Sequence, residues 1–234
     1  MSKTRVIQAV KDLDVDAVGA LLDGKPALVN ARDPAGRNLL HIACSVPCAD
    51  LNVPESLSAK MANLLLDRGL DVDATQDHKD RCTALFFAVA RGRNHTLVRL
   101  LLKRGANVAR APGCGLFAAA WWDDVTSLDL LIRAGAKIDI VVGVTPFFAA
   151  WNWKKFDAAK FLVTKGADIN FQEPRKRRTA LHYGIEKEFD PALLKWLVAH
   201  GASPEIPDRD GVTARQRASR KRDKQWANAI GGRA

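Results

Sequence analysis

The stretch Thr145-Pro146-Phe147-Phe148-Ala149-Ala150, continued by Phe161-Leu162-Val163-Thr164-Lys165-Gly166-Ala167-Asp168-Ile169-Asn170, decides how this chain is read. It opens on a threonine, runs through an apolar pair, an aromatic and alanines, and closes on a second apolar stretch that ends in glycine. Apolar residues at i, i+3 and i+4 form one stripe on a helix. The glycine supplies the left-handed backbone that caps a helix at its C-terminus. Two short helices with a turn after each are therefore expected, and such a unit cannot bury its apolar faces alone.

The same grammar recurs. Equivalent starts are Asn38-Leu39-Leu40-His41-Ile42-Ala43, Thr83-Ala84-Leu85-Phe86-Phe87-Ala88, Cys114-Gly115-Leu116-Phe117-Ala118-Ala119 and Thr179-Ala180-Leu181-His182-Tyr183-Gly184. Equivalent ends are Leu64-Leu65-Leu66-Asp67-Arg68-Gly69, Leu100-Leu101-Leu102-Lys103-Arg104-Gly105-Ala106, Leu130-Leu131-Ile132-Arg133-Ala134-Gly135-Ala136 and Trp196-Leu197-Val198-Ala199-His200-Gly201-Ala202. Self-similarity at a period of about 33 residues signals a stack of repeats.

These motifs resemble the ankyrin repeat, with its T-P-L-H-x-A start and its second helix ending in a Gly-Ala turn. The resemblance implies an all-α ankyrin-repeat solenoid of stacked helix–turn–helix units joined by short β-hairpin-like fingers. Residues 1–234 then form a single domain: 1–33 an N-terminal capping unit with helices near Val6–Leu13 and Val15–Leu22, 34–211 five full repeats, and 212–234 a basic C-terminal cap with a shortened second helix. In the family the threonine and histidine tie neighbouring turns together. His41 and His182 keep that histidine, whereas Phe86, Phe117 and Phe148 exchange the polar bridge for apolar packing.

Composition agrees with a packed domain: 47% of the 234 residues are hydrophobic and 26% charged. No apolar run approaches the roughly 20 residues a membrane helix needs, and the N-terminus lacks a signal-peptide core. A cytoplasmic monomer is the default expectation, with export as an effector left open. Four cysteines do not make a disulfide framework in a chain this long. The net charge of +10 is uneven, since residues 212–234 hold seven Lys/Arg against one acid and Arg175-Lys176-Arg177-Arg178 adds four more.

Function is expected where the copies differ. Positions 41, 86, 117, 148 and 182 of the His/Phe ruler are separated by 45, 31, 31 and 34 residues. The long interval implies an expanded surface loop near Ser45–Ser58. The two short ones imply clipped fingers before Phe117 and Phe148. In the family, the fourth and fifth residues after the histidine face a partner-binding groove. Those positions here are Ser45 and Val46, Ala90 and Arg91, Trp121 and Trp122, Asn152 and Trp153, Glu186 and Lys187. Three tryptophans thus fall in the middle repeats beside the apolar finger Ile138–Val144, whose Val142 and Val144 join the candidate surface. Aromatic anchors in an apolar surround suit a protein-binding hot spot. The alternative, tryptophans filling core where the fingers are short, stays open for Trp122 and Trp153, while Trp151 is expected to be packing and Trp196 and Trp226 structural.

Arg91 and Arg110, and Arg175, Lys176 and Arg178 of the last long finger, are expected to flank this surface and to suit a partner with an acidic or mixed face. The alternative function is nucleic-acid association through Arg215, Arg217, Arg220, Lys221, Arg222 and Lys224. No phosphate loop, nucleophile elbow or zinc-protease motif is present, so neither an enzyme nor a cofactor is expected. His41, Cys44 and Cys48, with His78 and Cys82, make the one metal-like constellation. Its spacing is poor for zinc, and no metal site is expected.

Overall fold

A computed structural model describes residues 2–77, 81–110 and 114–231. Among the described residues, fourteen α-helices follow one another: α1 Ser2–Lys11, α2 Val15–Gly24, α3 Leu39–Cys44, α4 Glu55–Asp67, α5 Ala84–Phe87, α6 His95–Lys103, α7 Cys114–Trp121, α8 Val125–Arg133, α9 Pro146–Asn152, α10 Phe156–Thr164, α11 Ala180–Glu186, α12 Pro191–Ala199, α13 Ala214–Arg220 and α14 Gln225–Ala229. A 3-10 turn, Pro26–Asn30, follows α2, and α5 continues into a π-helical turn, Ala88–Gly92. Strand pairing among the described residues is limited to isolated bridges at the fingers, Arg32 with Asn38, Thr75 with Thr83, Val142 with Val144, and Pro207 with Thr213.

The repeated residues make the helix ends. The side chains of Asn38, Thr83, Thr145 and Thr213 accept hydrogen bonds from the backbone N–H groups of His41, Phe86, Phe148 and Gln216, each three residues on. Such a cap is worth about 1 kcal/mol. The Gly-Ala turn is equally specific. Gly105, Gly135, Gly166 and Gly201 have φ between +89° and +99°. In each case the following alanine donates its N–H back to the carbonyl five residues earlier, as Ala167 does to Leu162 at 3.0 Å. This closes a Schellman-type cap and turns Ala106, Ala167 and Ala202 into the core.

The chain forms two compact units, Met1–Ala119 with Thr126–Ala136, and Ala120–Val125 with Lys137–Ala234. In the first, α1 packs on α2 and α3, α3 on α4 and α5, and α4 on α6. Its core holds Val6, Val18, Leu39, Met61, Leu65, Leu97, Leu101, Leu128 and Leu131. In the second, α10 packs on α9, α9 on α11, α11 on α13, and α12 on α14, around Phe147, Trp151, Leu162, Leu181, Leu194 and Leu197.

Both histidines bridge as the resemblance implies. His41 Nδ1 accepts the Asn38 N–H at 3.1 Å, and Nε2 meets the Ala74 carbonyl at 2.8 Å. His182 repeats the arrangement with Thr179 and the Val212 carbonyl at 3.0 Å. A ring that accepts at one nitrogen and donates at the other is neutral. Burial holds His41 in that state, with its pKa down at about 4, and lowers His182 as well. Phe148 at the same position instead makes edge contacts with Phe171 and Tyr183.

Two sequence expectations need correction. The expanded segment is a loop only through Pro54, because α4 begins at Glu55 and runs 13 residues against nine in α6, α8, α10 and α12. Part of the extra length therefore lengthens a helix, and the loop is pinned rather than loose. Val46 and Cys48 are buried, and Cys48 Sγ lies 2.8 Å from Ser58 Oγ inside α4. The first helix of the N-terminal unit also spans Ser2–Lys11 instead of lying near Val6–Leu13.

Candidate functional site

Among the described residues, four of the five exposed large hydrophobic side chains belong to the second unit. Trp121 is 50% exposed, Trp122 45%, Val141 57% and Val142 56%; Leu51 is the other large hydrophobic residue this open among the described residues. Soluble domains seldom show large aromatic surface without a use for it.

Local structure explains why the tryptophans stand out. Trp121 ends α7, Trp122 lies in the turn, and Asp123 takes the left-handed conformation at φ +58°. The Asp123 carboxylate then accepts the Ala158 N–H at 2.7 Å, which anchors the turn. One repeat later the same register places Trp153 at the end of α9 with Lys154 at φ +60°, and in the next Glu188 has φ +54°. The fourth and fifth positions after the ruler residue are thus the last before the chain reverses. In the second repeat the π turn takes up one additional residue, and the left-handed position shifts to Arg93 at φ +45°. Gly92 permits this, since a Cβ there would sit 2.6 Å from the Cys44 carbonyl oxygen.

The tryptophans differ from one another. Trp121 and Trp153 meet edge to face with ring centroids 4.9 Å apart, and Trp153 is half-buried. Trp151 is fully buried; its indole N–H donates to the Ala180 carbonyl at 2.9 Å, and Phe156 and Phe189 flank it. Gly184 gives it room, because a methyl there would lie 2.9 Å from Leu194 Cδ1 and 3.5 Å from the Trp151 ring. Glycine here, where the other copies carry Ala43, Ala88, Ala119 and Ala150, is the sequence signal of that close packing. Trp226 is buried with its indole N–H on the Phe189 carbonyl, and Trp196 stacks on His200.

The finger Ile138–Val144 is a tight turn closed by the Val142 N–H on the Val144 carbonyl at 3.0 Å. Val142 is exposed and Val144 half-buried. Asn152 accepts a hydrogen bond from Lys187 Nζ at 2.6 Å. On the last long finger, buried Glu173 accepts the backbone N–H groups of Arg175, Lys176 and Arg178, which leaves the Arg175 and Lys176 side chains exposed. Arg178 departs from the expected flank. It is 8% exposed and its guanidinium is committed to Glu186 and Asp208. Arg91 and Arg110 are exposed residues of the first unit.

The C-terminal cations are partly spoken for. Arg217 pairs with buried Asp208, Arg215 with Glu205, and Lys221 with Glu188. Burial would raise the Asp208 carboxyl, but Arg217 and the N–H groups of Val212 and Asp210 outweigh it and hold it below the usual carboxylate range. The metal-like constellation does not assemble around His41, whose two ring nitrogens are both engaged. Cys44 is buried in apolar surroundings that push its thiol pKa up. His78 lies outside the described residues. Among those described, no three His, Cys, Asp or Glu side chains could share a metal, and no helix is long and apolar enough to cross a membrane.

Comparisons with known proteins agree with the geometry. A family model of three ankyrin repeats matches residues 146–229, and a single-repeat model matches 80–111. The nuclear factor NF-kappa-B p105 subunit of Gallus gallus is 27% identical over 204 residues, covering 84% of this chain and 20% of that protein. The ankyrin repeat and KH domain-containing protein mask-1 of Caenorhabditis elegans is 24% identical over 168 residues, covering 69% of this chain and 6% of that protein. The chain thus spans a fifth or less of the length of these curated relatives. Among crystal structures, the ankyrin repeat domain of Bcl-3, described as a unique member of the IkappaB protein family, superposes with a TM-score of 0.77 at 21% identity, covering 97% of each chain. The human ASB11 ankyrin repeat domain gives 0.74 at 20% identity, covering 96% of this chain and 95% of that one. With its repeated caps, its histidine bridges and these matches together, the chain belongs to the ankyrin-repeat family.

Proposed function

We propose that this chain is a non-enzymatic protein-interaction module whose partner seats on the tryptophan surface of the second unit. The exposure of Trp121 and Trp122, about half of each side chain in an otherwise packed domain, carries the reading. Trp153 stiffens the surface from beneath Trp121, and a pre-set aromatic anchor loses little entropy on binding. Val142 and Val144 extend it on the finger side, and Asn152, Glu186 and Lys187 supply polar contacts at its edge. Arg175 and Lys176 orient an acidic or mixed partner face. Arg178 contributes only by holding Glu186. A cytoplasmic monomer is the form in which the module acts.

The test is capture from native lysate by wild type and by a Trp121→Ala/Trp122→Ala variant. Loss of an aromatic hot-spot residue costs about 2 kcal/mol or more of binding, so the variant should lose the partner while its thermal unfolding stays close to wild type. An unchanged set of captured proteins, or a variant that no longer folds, overturns the assignment.

A further inference from the structure

The first unit carries a second surface, remote in character from the tryptophans. A groove of about 630 Å³ runs between α1 and the first finger. One wall is a stripe of α1, where Lys3, Ile7 and Lys11 follow one another at i, i+4 and i+8, beside the buried Val6 and Val10. The other wall is the finger, with Arg32, Pro34 and Ala35, all exposed.

The charge of this groove is one-signed. Asp33 lines it too, but that carboxylate is buried and consumed by Arg37 at 2.8 Å and by the N–H groups of Ala35 and Arg37. Lys3, Lys11 and Arg32 remain exposed, and Arg32 is held in place by the Gly36 carbonyl at 2.9 Å. The spacing is informative as well. Eight residues of helix separate Lys3 from Lys11 by about 12 Å, a span that an extended chain covers in roughly four residues.

We infer that this groove binds an extended acidic segment of a partner protein, with two carboxylates three or four residues apart and an apolar side chain between them. The carboxylates meet Lys3 and Lys11, Arg32 adds a bidentate contact, and the intervening apolar group packs on Ile7 and Pro34. Opposite charges of this kind set specificity and association rate more than they set total affinity.

The probe is a fluorescein-labelled peptide with two glutamates four residues apart and a leucine between them, titrated with the full chain at low salt and read by anisotropy. Its twin carries glutamine at both acidic positions. We expect the acidic peptide to bind, the twin to bind roughly tenfold or more weakly, and Lys3→Glu/Lys11→Glu to lose a similar factor. Lys3→Gln/Lys11→Gln should fall between, and Trp122→Ala should bind as wild type, which separates this groove from the tryptophan surface. Unchanged thermal unfolding of the lysine variants keeps the comparison fair, since both side chains are exposed. Failure of the wild type to bind, an equally tight glutamine twin, or affinity within about twofold after charge reversal overturns the inference. So does a single-stranded DNA oligonucleotide that binds through Lys3 and Lys11 and displaces the peptide, which would make the groove a general polyanion site.

Discussion

Lowering the pH from neutral to about 4.5 should destabilise the first unit through His41, the protonation being one that the native state resists. His41 is fully buried, accepts the Asn38 N–H and donates to Ala74, and its pKa is held near 4 against an ordinary 6.5. The unfolded chain takes up a proton below pH 6.5 while the folded chain does not, so stability falls as the pH drops through this window and levels off below about 4. At 1.36 kcal/mol per pKa unit the full loss is about 3 kcal/mol, of which about 1 kcal/mol has appeared by pH 5.5 and more than 2 by pH 4.5. The chain supplies its own control, since Phe86, Phe117 and Phe148 stand at the equivalent position in other copies. His41→Phe should cost about 1–3 kcal/mol at pH 7.5, because the Asn38 N–H and Ala74 carbonyl lose their partner, yet show a flatter dependence from pH 7 to 4.5. Urea unfolding of both proteins across that range measures the difference, and the NMR titration of the His41 ring reports the pKa directly. A ring that titrates near 6.5 in the folded protein, or parallel stability profiles for the two proteins, would refute the reasoning.

Other consequences follow from contacts already described. Gly92→Ala should lower stability by about 1–3 kcal/mol, because the added methyl would press on the Cys44 backbone carbonyl at 2.6 Å; an unshifted thermal midpoint would contradict the close approach. Asp208→Ala leaves the guanidinium groups of Arg178 and Arg217 without their shared carboxylate. Since Arg217 is partly exposed, a loss of about 2–4 kcal/mol is expected, seen as faster hydrogen exchange in α13 and α14; unchanged exchange there would show that the pair does not hold the cap. Cys44 should resist alkylation in the folded protein and react only on unfolding, since burial keeps its thiol protonated; mass spectrometry of protein labelled under native conditions checks this. If the basic C-terminal segment binds nucleic acid, a mobility shift should appear at low salt and fade steeply as salt is added; the internal pairing of Arg215, Arg217 and Lys221 leads us to expect none.

The amino-acid sequence by itself determined the repeat and its helix ends. Asparagine or threonine at four of the five starts and Gly-Ala at four of the five ends act through backbone groups within a few residues, so their meaning does not depend on distant packing. His41 and His182 were legible for the same reason: each Nδ1 bond is local, and the partner carbonyl follows from stacking identical units. What the sequence left open was the fate of residues with two possible environments. Trp151 and Trp153 lie two positions apart on one short segment, yet the first is sealed against Phe156, Phe189 and Gly184 while the second rests half-exposed on Trp121. Arg178 reads as one cation in a basic run, but the tertiary fold brings it to Glu186 and Asp208, eight and 30 positions along the chain. The basic groove beside α1 was equally hidden, because Lys3 and Arg32 line one groove only after the first finger folds back along the helix. Burial and long-range pairing are properties of neighbours in space, and only the tertiary structure could decide them.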